Sequence, residues 1–113
     1  MTSRDDRKAA VAAWRERKAP AGIYVLRCLP TGQTWVGRAT DLEAAERRLR
    51  FSLRMNSTPH RSLLAAAREH GEESFTFETV VRIEEENASP EFIQSRLKSR
   101  LRHWQAELGA EAI

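Results

Sequence analysis

Hydrophobic positions along the chain follow two different spacings. β-Branched and aromatic runs at 22–28 and 33–37 flank a turn at 29–32 that contains proline and glycine, which predicts a β-hairpin. From 75 to 83 apolar and polar positions alternate, and a period of two predicts a third, half-buried strand. The residues expected on one face of that strand are Phe75, Phe77, Thr79, Val81 and Ile83.

A spacing of three to four residues marks the helices, expected at 3–18, 41–55, 60–70 and 90–108. Asp41 or Thr40 can cap the second helix, and glycines stop the third and fourth. The resulting order is helix, hairpin, helix, helix, strand, helix. It predicts an α+β fold in which a three-stranded antiparallel sheet, the hairpin plus the third strand, is covered by helices.

The length of 113 residues is that of one compact domain, and we expect an extra N-terminal helix over 1–20 beside a main unit over 21–113. Charged residues make up 31% of the chain and the net charge is +3. A basic balance permits nucleic-acid binding, although a solvated basic face would produce the same balance.

Several classes of protein are not expected. The first residues lack the apolar stretch of a signal peptide, and no window approaches the roughly 20 apolar residues that span a bilayer. Cys28 is the only cysteine, so an internal disulfide and a cysteine-based zinc site are excluded. We therefore expect a cytoplasmic protein without a membrane partner, of undetermined oligomeric state.

The hairpin carries Gly-Ile-Tyr at 22–24 and Trp-Val-Gly at 35–37, with ten residues between them. This pair resembles the two halves of the GIY-YIG nuclease signature. Leu63, the His-Gly pair at 70–71 and the phenylalanine-rich run from Phe75 also resemble the family. The resemblance covers about residues 21 to 108 and implies the fold of that family.

The resemblance also implies an activity, which is metal-dependent cleavage of phosphodiester bonds. In the family, a first tyrosine acts near the attacking water, while a second tyrosine and an arginine bind the phosphate. A glutamate on a later helix holds a single divalent metal, so Mg²⁺ or Mn²⁺ is the cofactor expected of an active protein. A metal and a guanidinium oppose the negative charge that gathers on the phosphoryl group.

Carried over position by position, the resemblance assigns the first catalytic role to Tyr24. Trp35 stands where the second tyrosine belongs, and its indole has a donor but no hydroxyl, so it either stacks on a base or fills the core. The position of the catalytic arginine, eight residues after the motif glycine, is Ala45. Arg47 and Arg48 are the nearby candidates, although two residues turn a helical side chain by about 200°.

The remaining family positions are filled by residues of other types. Leu49 or Phe51 stands where a histidine is expected, and His60, at the start of the next helix, is the alternative phosphate-binding residue. Leu101 stands where the metal-binding glutamate is expected, between two cationic residues. A hard cation needs oxygen ligands, so no metal ligand is assigned.

Further arginines near the motif predict contacts to phosphate, each with a surface charge as the alternative. These nucleic-acid-binding candidates are Arg38, Arg50, Arg54 and Arg61. Three functions follow: a nuclease with a divergent site, an inactive domain that binds DNA or RNA, and a protein-interaction module that uses Trp14 or Trp104. We favour a nucleic-acid partner, and DNA over RNA.

Overall fold

A computed structural model describes residues 20–83 and 88–113. The predicted leading helix and the acidic segment at 84–87 lie outside these ranges. The strands are β1 Ala21–Cys28, β2 Thr34–Ala39, β3 Phe75–Ile83 and β4 Glu111–Ala112. The helices are α1 Leu42–Met55, α2 Arg61–His70 and α3 Pro90–Leu108, with a short 3₁₀ turn at Glu72–Ser74. The predicted order of hairpin, two helices, strand and helix is confirmed.

The sheet has four strands in the order β3-β1-β2-β4, so the prediction of three strands is wrong by one. β1 pairs antiparallel with both neighbours, as predicted for the hairpin and the third strand. The added strand β4 runs parallel to β2, where Glu111 pairs with Trp35. A strand of two residues is too short to show a hydrophobic period in the sequence. The left-handed turn at Gly109 after α3 brings these residues to the edge of β2.

Helices cover both faces of the sheet. On the first face α1 and α2 supply Leu53 and Leu63 to a core that includes Leu26, Trp35 and Phe75 of the strands. On the second face α3 packs on the other side chains of β1 and β2. The buried members of this second core include Ile23, Val25, Val36 and Leu97.

The predicted alternation of β3 is wrong beyond a β-bulge. The pairing with β1 shifts between Ile23, which lies opposite Val81, and Tyr24, which lies opposite Thr79. One extra residue in β3 reverses the faces to which the following side chains point. Val81 and Ile83 therefore pack against the second core, on the side of α3, instead of joining the phenylalanines on the first face. At the bulge the Val81 carbonyl oxygen occupies the space that a side chain at Gly22 would need.

Helix α1 lies along the first face from one end of β1 to the other. Its start is fixed because Asp41 Oδ1 accepts a hydrogen bond from the Ala44 N–H at 3.1 Å. Its first buried residue, Leu42, packs near Tyr24, whereas Leu53 packs near Cys28. In the described ranges no helix has the length and apolar character needed to cross a bilayer.

Candidate functional site

The ring of Tyr24 lies across the neighbouring strand. Tyr24 pairs with Gly37 of β2, and a methyl group at Gly37 would overlap Cζ and the hydroxyl of the tyrosine. On its other side the ring stacks on Phe77, with centroids 4.8 Å apart and planes inclined by 19°. The glycine of the second motif half is therefore required by the tyrosine of the first half.

The Tyr24 hydroxyl is the polar end of a mostly buried side chain, 6% exposed. No described residue forms a hydrogen bond with it. Because no fully buried side-chain nitrogen or oxygen in the described ranges lacks a partner, the hydroxyl retains contact with solvent. Burial raises the pKa of Tyr24 above its ordinary value of 10.0, and the positive charge of Arg48 partly offsets that rise. At neutral pH the group is a protonated phenol that can donate a hydrogen bond.

Apolar residues of α1 lie over Tyr24 where the family resemblance expects an arginine and a histidine. Ala45 is buried in a cluster with Tyr24 and Ala39, and Leu49 packs against that cluster. Arg48 follows Ala45 by three residues and is its neighbour on the helix surface. Of the two predicted arginines, Arg48 is thus the one whose charge acts on Tyr24.

The arginines of α1 divide into two groups. Arg50 is half-buried, and its guanidinium lies 3.1 Å from the Glu46 carboxylate and 3.7 Å from that of Glu72. Arg47, Arg48 and Arg54 are exposed. Within the described part of the chain, none of these three has an ion-pair or hydrogen-bond partner. The second group is therefore available to an external anion, whereas Arg50 is partly neutralised.

Trp35 is enclosed by protein and is only 1% exposed. Its Nε1 donates a hydrogen bond to Ser62 Oγ of α2 at 2.9 Å, and the Ser62 hydroxyl donates in turn to the Glu111 carboxylate of β4. The indole also contacts Phe75, with ring centroids 6.0 Å apart. Of the two positions that the sequence permitted, the structure places Trp35 in the core, where a nucleic-acid base has no access.

The other predicted residues are distributed around the fold. Alternation along β2 puts Arg38 on the face of Val36, under which α3 packs, and so on the side opposite Tyr24. His60 is the residue before α2, where its side chain makes no capping hydrogen bond. Arg61 is exposed at the first position of the same helix. Of the predicted cationic residues, Arg48 is thus the one whose charge acts on Tyr24, while Arg38 lies on the opposite side of the sheet.

The residues around Tyr24 do not fit a divalent metal. Leu101, at the position expected for the metal ligand, packs against the second core, on the side of α3. Glu43 and Glu46 line a shallow depression beside Phe77, but Arg82 lines it too and Glu46 is paired with Arg50. Throughout residues 20–83 and 88–113, no three His, Cys, Asp or Glu side chains are grouped so as to hold a metal ion.

Sequence reasoning missed one feature of this surface. The sequence prediction includes Phe51 only as an occupant of the histidine position, yet its side chain on α1 is 57% exposed. At about 100° per residue, Phe51 lies about 180° from Leu42 around the helix. A helical projection of α1 therefore contained the signal that an aromatic ring lies among the outward arginines.

No family model and no curated protein sequence matches the chain. Two solved structures have a similar fold. The catalytic domain of homing endonuclease I-TevI is 23% identical, with a TM-score of 0.67, over 82% of this chain and 97% of that one. A mutant catalytic domain of intron endonuclease I-TevI is 22% identical, with a TM-score of 0.66, over 80% and 84%. The GIY-YIG-like fold predicted from the hairpin is thereby confirmed, while identities this low carry the fold alone.

Proposed function

We propose that this protein, with its GIY-YIG-like fold, is a nuclease-like protein that acts on nucleic acid by binding the phosphate backbone along α1. The observation that carries the proposal is the row of exposed arginines Arg47, Arg48 and Arg54, which have no carboxylate partner among the described residues. When guanidinium groups without internal partners neutralise phosphates, the counterions condensed on the nucleic acid are released. This release drives binding. Both similar structures are endonuclease domains, which supports the same class of substrate.

Tyr24 supplies a second type of contact at this site. Its protonated hydroxyl meets solvent within the electrostatic influence of Arg48, and the stacked Phe77 holds its ring in one orientation. A neutral phenol donates one hydrogen bond, and a non-bridging phosphate oxygen accepts it. In this arrangement Arg48 contributes charge and Tyr24 contributes a directed hydrogen bond.

A second candidate function is cleavage of the phosphodiester bond, which the position of Arg48 near Tyr24 favours. Tyr24 would orient the attacking water, and Arg48 would stabilise charge on the phosphate. The donor set around Tyr24 does not support a metal-dependent route. Incubation of labelled DNA and RNA with the protein, with and without Mg²⁺ or Mn²⁺, tests this candidate, and cleavage must disappear in Tyr24→Phe.

Binding is tested by the fluorescence anisotropy of labelled DNA, the favoured substrate, and of RNA over a series of salt concentrations. The test variant carries Arg47→Gln, Arg48→Gln and Arg54→Gln. A matched control removes the same charge from α3, on the opposite layer, through Lys98→Gln, Arg100→Gln and Arg102→Gln.

If the three α1 arginines contact phosphates, their loss lowers the slope of log affinity against log salt by about 2.7 for a duplex, at about 0.9 per contact. The α3 control should retain most of the wild-type slope. Affinity that does not respond to salt, or equal losses in both variants, would refute the proposed function.

A further inference from the structure

Two of the large exposed apolar side chains in the described ranges lie on α1. Phe51 is 57% exposed and Met55 is 59% exposed. They are four residues apart, so they are neighbours one turn apart on the same side of the helix. That side faces away from the buried stripe of Leu42 and Leu53, and no described element covers it.

Cationic side chains surround this apolar pair. Arg47 and Arg48 precede Phe51 by four and three residues, and Arg54 follows it by three, so all are its neighbours on the helix surface. Arg47 and Arg54 are about 10.5 Å apart along the axis, at about 1.5 Å per residue. The phenyl ring is therefore bracketed by guanidinium groups that have no partner among the described residues.

The combination of an exposed ring with flanking cations distinguishes between forms of nucleic acid. A duplex stacks its bases internally and offers phosphates and groove edges, so the ring would gain little from it. A single strand offers the flat face of a base together with phosphates on both sides, and proteins bind it by aromatic stacking within a basic groove.

We propose that the outer face of α1 binds single-stranded nucleic acid, with an unpaired base stacked on Phe51 and the adjacent phosphates on Arg47 and Arg54. This inference rests on the proposed function and specifies its substrate class. The same charges argue against a second copy of the chain as the occupant. In a two-fold contact the same patch meets itself, so the arginines of the two copies would repel.

The test compares the anisotropy of a labelled single-stranded DNA, an RNA of the same sequence, and the corresponding DNA duplex. Phe51→Leu keeps an apolar side chain and removes the ring, while Met55→Leu is the matched control one turn away. Both sites are exposed, so neither change should disturb folding. Stacking on one base is worth about 1–3 kcal/mol, so Phe51→Leu should weaken single-strand binding about 5- to 160-fold. Duplex binding should stay within about twofold, and Met55→Leu should change neither.

Equal effects of the two substitutions on the single strand would overturn the inference, as would an equal loss of duplex binding in Phe51→Leu. In either case, salt-dependent binding that needs the α1 arginines would leave the proposed function standing. If no oligonucleotide binds, both proposals fail. Self-association by light scattering that Phe51→Leu abolishes would assign the face to a second copy instead, and would also overturn the inference.

Discussion

Tyr24 and Trp35 are the aromatic residues of the two motif halves, and they lie on the same face of adjacent strands. Trp35 is closed in by α2 and β4 and donates its only polar hydrogen to Ser62. Tyr24 keeps its hydroxyl in contact with solvent and close to a cation. One half of the motif therefore supports the scaffold, while the other half presents a polar group at the surface.

The difference arises from the size of the neighbours. Three neighbours of Tyr24 are small, namely Gly37 against the ring and Ala39 and Ala45 in its cluster, so the long side chain reaches past them toward solvent. Around Trp35 the neighbours are larger and include Phe75 and Leu63. An indole enclosed in this way needs an acceptor for its N–H, which Ser62 provides.

The largest expected effect comes from truncating Trp35, the enclosed member of this pair. Trp35→Ala should lower the free energy of unfolding by about 3–5 kcal/mol, because the fully buried indole leaves a cavity and loses its contacts. Urea denaturation followed by circular dichroism measures the change. A loss below about 1 kcal/mol would mean that Trp35 does not support the core as described.

A smaller effect is expected where the two motif halves touch. Gly37→Ala should lower the free energy of unfolding by about 1–3 kcal/mol, because the new methyl group displaces the Tyr24 ring from its stack on Phe77. A double-mutant cycle tests the cause. In a Tyr24→Leu background, which lacks the overlapping ring atoms, most of the cost should disappear. An unchanged cost there would place the strain elsewhere.

Substitution of both residues by phenylalanine measures what each polar group contributes. Trp35→Phe should cost at least about 1 kcal/mol, since the hydrogen bond to Ser62 is lost. Tyr24→Phe should change the free energy of unfolding by no more than about 0.5 kcal/mol, because no described residue bonds to the hydroxyl. Under the proposed function, the main effect of Tyr24→Phe should be on the affinity for nucleic acid. Equal stability losses in the two variants would remove the distinction between the motif halves.

The smallest effect concerns ionisation. Tyr24 is the only tyrosine, so the ultraviolet absorbance of phenolate reports its titration directly. The midpoint should lie above 10.0 and rise further in Arg48→Gln, because that change removes the charge that lowers the pKa. Arg47→Gln is the matched control and should move the midpoint less. A midpoint that falls in Arg48→Gln would contradict the placement of Arg48 near Tyr24.

The raised pKa also sets the direction of a stability change. A folded-state pKa above the unfolded value means that the contribution of the neutral phenol is fully present below about pH 10. It is lost as the pH rises through the folded-state pKa. Tyr24→Phe should remove this alkaline component from the pH dependence of unfolding.

Local patterns of residues were enough to predict one part of the fold. The bounds of α3, from Pro90 to the stop at Gly109, follow from a proline at the first turn, a glycine after the last, and one apolar stripe. The hairpin and the span of β3 follow from alternation and turn residues. The choice of Tyr24 as a catalytic residue came from the motif and stays a prediction.

Features that join distant segments became visible only in the packed fold. The bulge opposite Tyr24 depends on how β3 meets β1, and β4 exists only because the chain turns back to the edge of β2. Trp35 and Ser62 are 27 residues apart, so no local pattern links the indole to its acceptor. The difference between Arg50, which pairs with Glu72 beyond α2, and Arg54, which has no partner among the described residues, likewise required the packed helices. Local propensities act over one turn or one strand, whereas these contacts depend on which surfaces meet once the layers have packed.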